Sequence, residues 1–347
     1  MNSKVSRRAL FGSAAGVLLS RTAAIANRAE TQKSVVSLVK GEQRRANVLA
    51  SLQAIDDQLA PQLKLRKSVV IKPNLVSTTR QLAATHADAL RGILDYLDTR
   101  WRGPVCIAES SAGDTLAGYD NFQYATLVNE YRRMQVSLVD LNEEALYQTI
   151  HILNGDMHPQ PVRLASRLLD PDAFVISAGV LKTHNVVVAT MSIKNMALGA
   201  PLHNRKGEAR WNDKRIYHGG VRQTHYGIVR TAERMKANWG VAVIDGYEGM
   251  EGNGPASGTP VPSRIAIASP DFVAADRIGI ECMGIRAEWP AYLIWSGEMG
   301  IGRYDLSQIA LRGEKPESVR MPYRMHNDIE RELQWMGPLE ELPPKLG

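Results

Sequence analysis

Ser68-Val69-Val70-Ile71 opens the stretch that decides the fold. A run this short, and mostly β-branched, reads as a buried strand rather than a buried helix. Behind Thr85-His86, the residues Ala89, Leu90, Ile93, Leu94 and Leu97 fall at helical spacing, and Val105-Cys106-Ile107-Ala108 is the next strand. A helix over 121–133 and a strand at Val136 to Val139 continue the rhythm, with further strands at Ala173 to Ser177, Val241 to Ile244 and Ile265 to Ala268. Tyr226, Val229, Ala232, Met235 and Trp239 share one helical face, and Pro270 behind a capping Ser269 starts another helix. Strand, turn and helix in alternation predict βαβ units: an α/β fold with a mostly parallel sheet and helices on both faces. After about 290 the pattern weakens, so residues 27–290 are expected to form the α/β domain and 291–347 an irregular C-terminal extension packing on it.

The chain of 347 residues is 44% hydrophobic and 22% charged, which excludes disordered and fibrous classes. Its two cysteines form no C-x-x-C pair, and no apolar run reaches the roughly 18 residues of a membrane span. The start is an address. Ser6-Arg7-Arg8 precedes a short apolar core from Ala9 to Ser20, and Ala24-Ile25-Ala26 offers a cleavage site, so residues 1–26 read as a signal peptide of the twin-arginine type. The twin-arginine translocase is then a partner during export, and the mature protein is periplasmic or otherwise exported, with no transmembrane helix. Removing Lys4, Arg7, Arg8 and Arg21 lowers the formal charge from +6 to +2, which leaves no case for a nucleic-acid partner.

There is no G-x-x-x-x-G-K-[ST], H-E-x-x-H or G-x-S-x-G. Gly252-Asn253-Gly254 follows a strand, but Pro255, Pro260 and Pro262 forbid the helix that a dinucleotide site needs. The polar residues cluster instead where strands end, at the carboxyl edge on which open α/β sheets bind ligands. Lys72-Pro73-Asn74 closes one strand and Glu109-Ser110-Ser111 the next; Lys72 either anchors an anion or simply leaves its strand into water. The segment Asp172 to His184 delivers Lys182 and His184 to that edge, and Lys194-Asn195 follows within an apolar stretch whose burial would depress the lysine pKa. Asp245 ends another strand and precedes the glycine-rich turn with Glu248, Glu251, Gly252 and Gly254. Residues 200–225 form a long polar segment with His203, His218 and His225, and Asp276, in an apolar helix, needs a backbone donor or Arg277 as partner.

The candidate catalytic residues are therefore His184, Lys194, Lys182 and His218. Lys72, Asn74, Asn195, Gly252 and Gly254 are candidates for substrate binding, and Asp245, Glu109 and His218 for a metal ion.

In order along the chain, Ile71-Lys72-Pro73-Asn74, Glu109-Ser110, Leu181-Lys182-Thr183-His184, Ser192-Ile193-Lys194-Asn195, Tyr217-His218, Ile244-Asp245-Gly246, Gly252-Asn253-Gly254-Pro255 and Ala274-Ala275-Asp276 resemble the family named domain of unknown function 362. The likeness spans roughly 67–285 and implies no settled activity. Some members append a ferredoxin module; this chain lacks its cysteines, so no iron–sulfur cluster is expected. The run from Asp172 to Gly199 is also distantly similar to the lactate racemase family. That resemblance implies that His184 moves a substrate proton and Lys194 carries a nickel pincer cofactor, with His218 in the place of a nickel-binding histidine.

The expectation is an exported protein acting on a small anionic substrate by proton transfer, in the manner of an isomerase or epimerase, with a metal or metal cofactor as an option. A periplasmic metal- or anion-binding protein without turnover, or a redox protein, is the alternative.

Overall fold

A computed structural model describes residues 33–205 and 207–337. The expected signal peptide and the tail beyond Gly337 lie outside these residues.

Strand β1 (Ser34–Lys40) leads into helix α1 (Arg44–Gln53), and β2 (Ser68–Pro73) into α2 (Ala87–Asp98), whose first turn is capped by His86 Nδ1 accepting from Asp88 N. Then come β3 (Val105–Glu109), helices α3 (Thr115–Asn121) and α4 (Tyr124–Glu130), and β4 (Val136–Asp140). The single helix expected over 121–133 is thus interrupted, because Gln123 takes a left-handed φ of 61° between α3 and α4. A separate hairpin, β5 (Tyr147–Leu153) with β6 (Pro159–Ala165), precedes β7 (Ala173–His184), β8 (Val188–Thr190), α5 (Ser192–Gly199) and α6 (Val221–Met235). Strand β9 (Trp239–Glu251) continues through the glycine-rich segment and pairs with β10 (Thr259–Val261), where the sequence suggested only a turn. Strand β11 (Ile265–Ser269) and helix α7 (Phe272–Met283) follow. Asp271, rather than Ser269, caps α7 by accepting from Val273 N and Ala274 N. Of the face expected around α6, Val229, Ala232 and Met235 are buried, Tyr226 is exposed, and Trp239 already begins β9.

The strands join in the order β12-β1-β11-β9-β7-β2-β3-β4, where β12 (Ile309–Gly313) comes from the C-terminal segment and runs parallel to β1. Every pair from β9 through β7, β2 and β3 to β4 is parallel, while β11 is antiparallel to both β1 and β9. The fold is mixed α/β with a mostly parallel central sheet, as the alternation implied.

Strand side chains alternate between two cores. Val69, Ile71, Val105, Ile107, Phe174 and Ile176 join α1 and α2 on one face. Val70, Val175, Ile244 and Ile267 join α5, α6 and α7 on the other. From β2 the chain builds outward through β3 to β4, then returns to place β7 and β9 on the opposite side of β2. This reversal between β2 and β7 opens a crevice outside their carboxyl ends, the position such sheets use for ligands.

Candidate active site

A cavity of about 290 Å³ occupies that crevice. Its walls include Lys72, Asn74, Glu109, His184, Lys194, Asn195, Lys214 and His218. Each arrives by a local necessity. Pro73 ends the β2 ladder and turns Asn74 inward, where its N–H donates to Thr85 Oγ1 at 2.8 Å. The carboxylate of Glu109 leaves the end of β3 and accepts both Ser110 N at 2.8 Å and Lys72 Nζ at 2.9–3.0 Å. Asn195 locks the pieces together: its Oδ1 accepts from Lys72 Nζ at 3.1 Å and Asn74 Nδ2 at 3.2 Å, and its Nδ2 donates to Lys72 O and Ser177 Oγ.

Lys182 reaches the same network from below. Its Nζ donates to Asn74 Oδ1 at 2.6 Å and to Ala83 O at 3.0 Å, and it is fully buried without lining the cavity. Burial pushes the lysine well below its ordinary range, and the Lys194 charge adds to this. For Lys72, burial lowers the pKa while Glu109 opposes the shift.

Two further lysines are held differently. Lys194 sits in the first turn of α5, 5% exposed, and makes no hydrogen bond or ion pair. Desolvation, then the charges of Lys72 and Lys214, push it down to about 7. Lys214, half-buried, donates to Ser110 Oγ at 2.9 Å and Leu198 O at 3.1 Å, both neutral, and desolvation carries it to about 7.

The histidines present opposite hydrogen-bonding faces. His184 Nδ1 accepts from Val186 N at 3.0 Å, so in the neutral ring Nε2 carries the proton. His218 Nδ1 lies 2.9 Å from the Lys214 carbonyl, which only accepts, so Nδ1 holds the proton and Nε2 keeps its lone pair. Burial first, and the Lys194 charge among the further causes, push both below the ordinary histidine value. One neutral imidazole donor and one neutral acceptor therefore border the same space.

Support comes from behind. Asp276 accepts from Ser192 N at 2.8 Å and Ile193 N at 3.0 Å, fixing the turn that carries Lys194; Arg277, the other expected partner, pairs with Glu281 instead. Burial raises Asp276 to about 8. The turn that follows His184 at the end of β7 is held by the buried Glu332, whose Oε2 accepts from Val188 N at 2.8 Å, the first residue of β8, where the backbone takes a φ of 71°.

Three expected placements fail. Asp245 does not line the cavity: its carboxylate lies 3.0 Å from Arg44 Nε, because β9 is separated from β2 and β3 by β7. Glu109 is taken by Lys72, and among the described residues no group of three or more His, Cys, Asp or Glu is gathered to hold a metal ion. The metal set Asp245, Glu109 and His218 is therefore not assembled. Gly252 and Gly254 do not reach the cavity either; a Cβ at Gly254 would lie 2.1 Å from Thr183 O, so this glycine allows close backbone packing that brings Pro255 to the wall. Conversely, sequence reasoning passed over Lys214, one of six cations in the polar segment 200–225 with no local feature to distinguish it.

A thylakoid-associated protein of Synechocystis sp. is 24% identical over 249 residues, covering 70% of this chain and 72% of that protein. A solved protein from Thermotoga maritima matches at a TM-score of 0.40 and 11% identity, over 59% of this chain and 51% of its own, so the chain spans about half of that protein's length. The model of the family described as a domain of unknown function, DUF362, matches residues 69–281, from β2 into the last turn of α7 and across every strand that builds the cavity. Since that is more than half of the sequence, the chain belongs to this family.

Proposed function

We propose that the protein is an enzyme that binds a small carboxylate-bearing substrate in this cavity and transfers a proton at a neighbouring carbon. The observation that carries the reading is the pairing of an imidazole donor, His184, with an imidazole acceptor, His218, beside Lys194 and Lys214, neither of which has a carboxylate partner. Lysines without a counter-charge favour an anion, and a neutral imidazole N–H beside a neutral acceptor suits hydrogen bonding to an oxygen that gains charge and removal of a proton. Export by the twin-arginine route, expected from residues 1–26, belongs to the same proposal and places the activity outside the cytoplasm.

The test is ¹H NMR in D₂O with small 2-hydroxy, 2-amino and oxo acids. Loss of a C–H signal is expected for at least one of them, falling about 10²–10⁴-fold in His184→Gln. No exchange with any acid, combined with calorimetric anion binding that Lys214→Ala removes, would leave an anion-binding protein instead.

A second reading makes Lys194 a cofactor-bearing lysine, as the likeness to lactate racemases suggests. Its buried, unpartnered amine fits such an attachment. The donor set fits a metal only if the cofactor itself supplies most ligands, since no metal cluster is gathered among the described residues. Intact mass of natively exported protein decides this, with added mass at Lys194 expected if it holds.

A further inference from the structure

Lys194 differs in its bonding from the other lysines of the site. Lys72 is bonded to Glu109 and Asn195, Lys182 to Asn74 and Ala83, and Lys214 to Ser110 and Leu198. Lys194 has no partner, although it is nine-tenths buried on the wall of a cavity just large enough for a small molecule. A buried amine surrounded by Lys72, Lys182 and Lys214 is favoured in its neutral, nucleophilic form, as in lysines that form imines with carbonyl substrates. Its neighbours supply the remaining parts: Lys214 for a carboxylate, His184 Nε2–H for an oxygen that gains charge, and His218 Nε2 for a proton.

We propose that Lys194 captures the carbonyl carbon of a small 2-oxo or 3-oxo acid as an imine, with Lys214 holding the carboxylate, His184 hydrogen-bonding the carbonyl oxygen and His218 moving the protons. The proposal rests on the proton-transfer reading and adds covalent capture to it. The Lys194 nitrogen lone pair forms the C–N bond as the carbonyl π pair moves to oxygen, which accepts a hydrogen bond from His184 Nε2–H. His218 Nε2 takes the two nitrogen protons in turn and passes them to that oxygen, which leaves as water. Amine and carbonyl thus become imine and water with no net redox change. In the iminium form the C–H bond beside the former carbonyl is acidified, and His218 accepts that proton; in a 3-oxo acid this carbon also adjoins the carboxylate.

The experiment incubates full-length protein with pyruvate or acetoacetate and sodium cyanoborohydride, then maps any modified peptide by mass spectrometry. The expected result is an added mass equal to the probe less one oxygen atom, on the peptide holding Lys194. Capture should slow by about 10²-fold or more in His184→Gln. Site mapping on the wild-type chain needs no variant to fold, and Lys194→Met should abolish the adduct. Reduction of another lysine, no adduct with either probe, or native protein already carrying mass at Lys194 each overturns the proposal. If C–H exchange persists without an adduct, only the covalent step falls; if both are absent, the proton-transfer reading falls with it.

Discussion

Four lysines meet near the carboxyl ends of β2, β3 and β7, and they divide into two layers. In the lower layer, Lys72 and Lys182 are wholly buried and bonded to Glu109, Asn195, Asn74 and Ala83, although Lys72 still touches the cavity wall. In the upper layer, Lys194 and Lys214 border the cavity, the first without any partner and the second with neutral ones. Burial is therefore a poor guide to which lysine does chemistry; what separates the layers is whether the charge is already answered by the protein. The saturated layer fixes three strand ends relative to one another, and the open layer presents what remains to a ligand.

The sharpest way to break the lower layer is Glu109→Gln, which leaves Lys72 buried without its counter-charge. A loss of about 3–5 kcal/mol in urea unfolding is expected; a loss below about 1 kcal/mol would mean that Lys72 is already neutral. Next in size is Asn74→Leu, which strips Lys182 of one acceptor but leaves it Ala83 O, and should cost about 1–3 kcal/mol.

Lys194→Met should cost no stability, because no bond is lost, and its signature is the pH dependence. The folded pKa of about 7 lies below the ordinary 10.5 of the unfolded lysine, so between these values the unfolded chain binds more protons and stability rises with pH. Lys194→Met should reduce that rise, leaving the part due to Lys214. Its stabilising effect should be greatest near neutral pH and shrink toward pH 10.5, as read by urea midpoints across that range. An unchanged slope would show that Lys194 keeps an ordinary pKa and belongs with no open layer at all.

Much of this was legible in the sequence because strand ends are. Ser68 to Ile71 and Val105 to Ala108 announce buried parallel strands, and whatever follows them lands on one edge, which is why Lys72, Asn74, Glu109, His184, Lys194 and Asn195 were singled out together. Asp245 follows the same logic and still falls elsewhere, since strand order decides which ends are neighbours and local pattern does not encode it. Lys214 was hidden for a related reason: it comes from an irregular segment, whose path depends on long-range contacts to Ser110 and Leu198. The C-terminal part looked irregular because β12 is a short edge strand with alternating exposure, yet it extends the central sheet.

The position of β1 governs how the chain can reach this state. Its ladder partners are β11, at Ser37 with Ala268, and β12, at Ser34 with Ile309. Neither exists until most of the chain has been synthesised, so β1 cannot enter the sheet while the β2-to-β4 unit is already free to form. Closing so distant a contact is slow, and an unpaired strand is meanwhile open to pairing with other chains. Final assembly is therefore a late event in synthesis, and a chain ending before residue 309 would leave one flank of β1 without its partner.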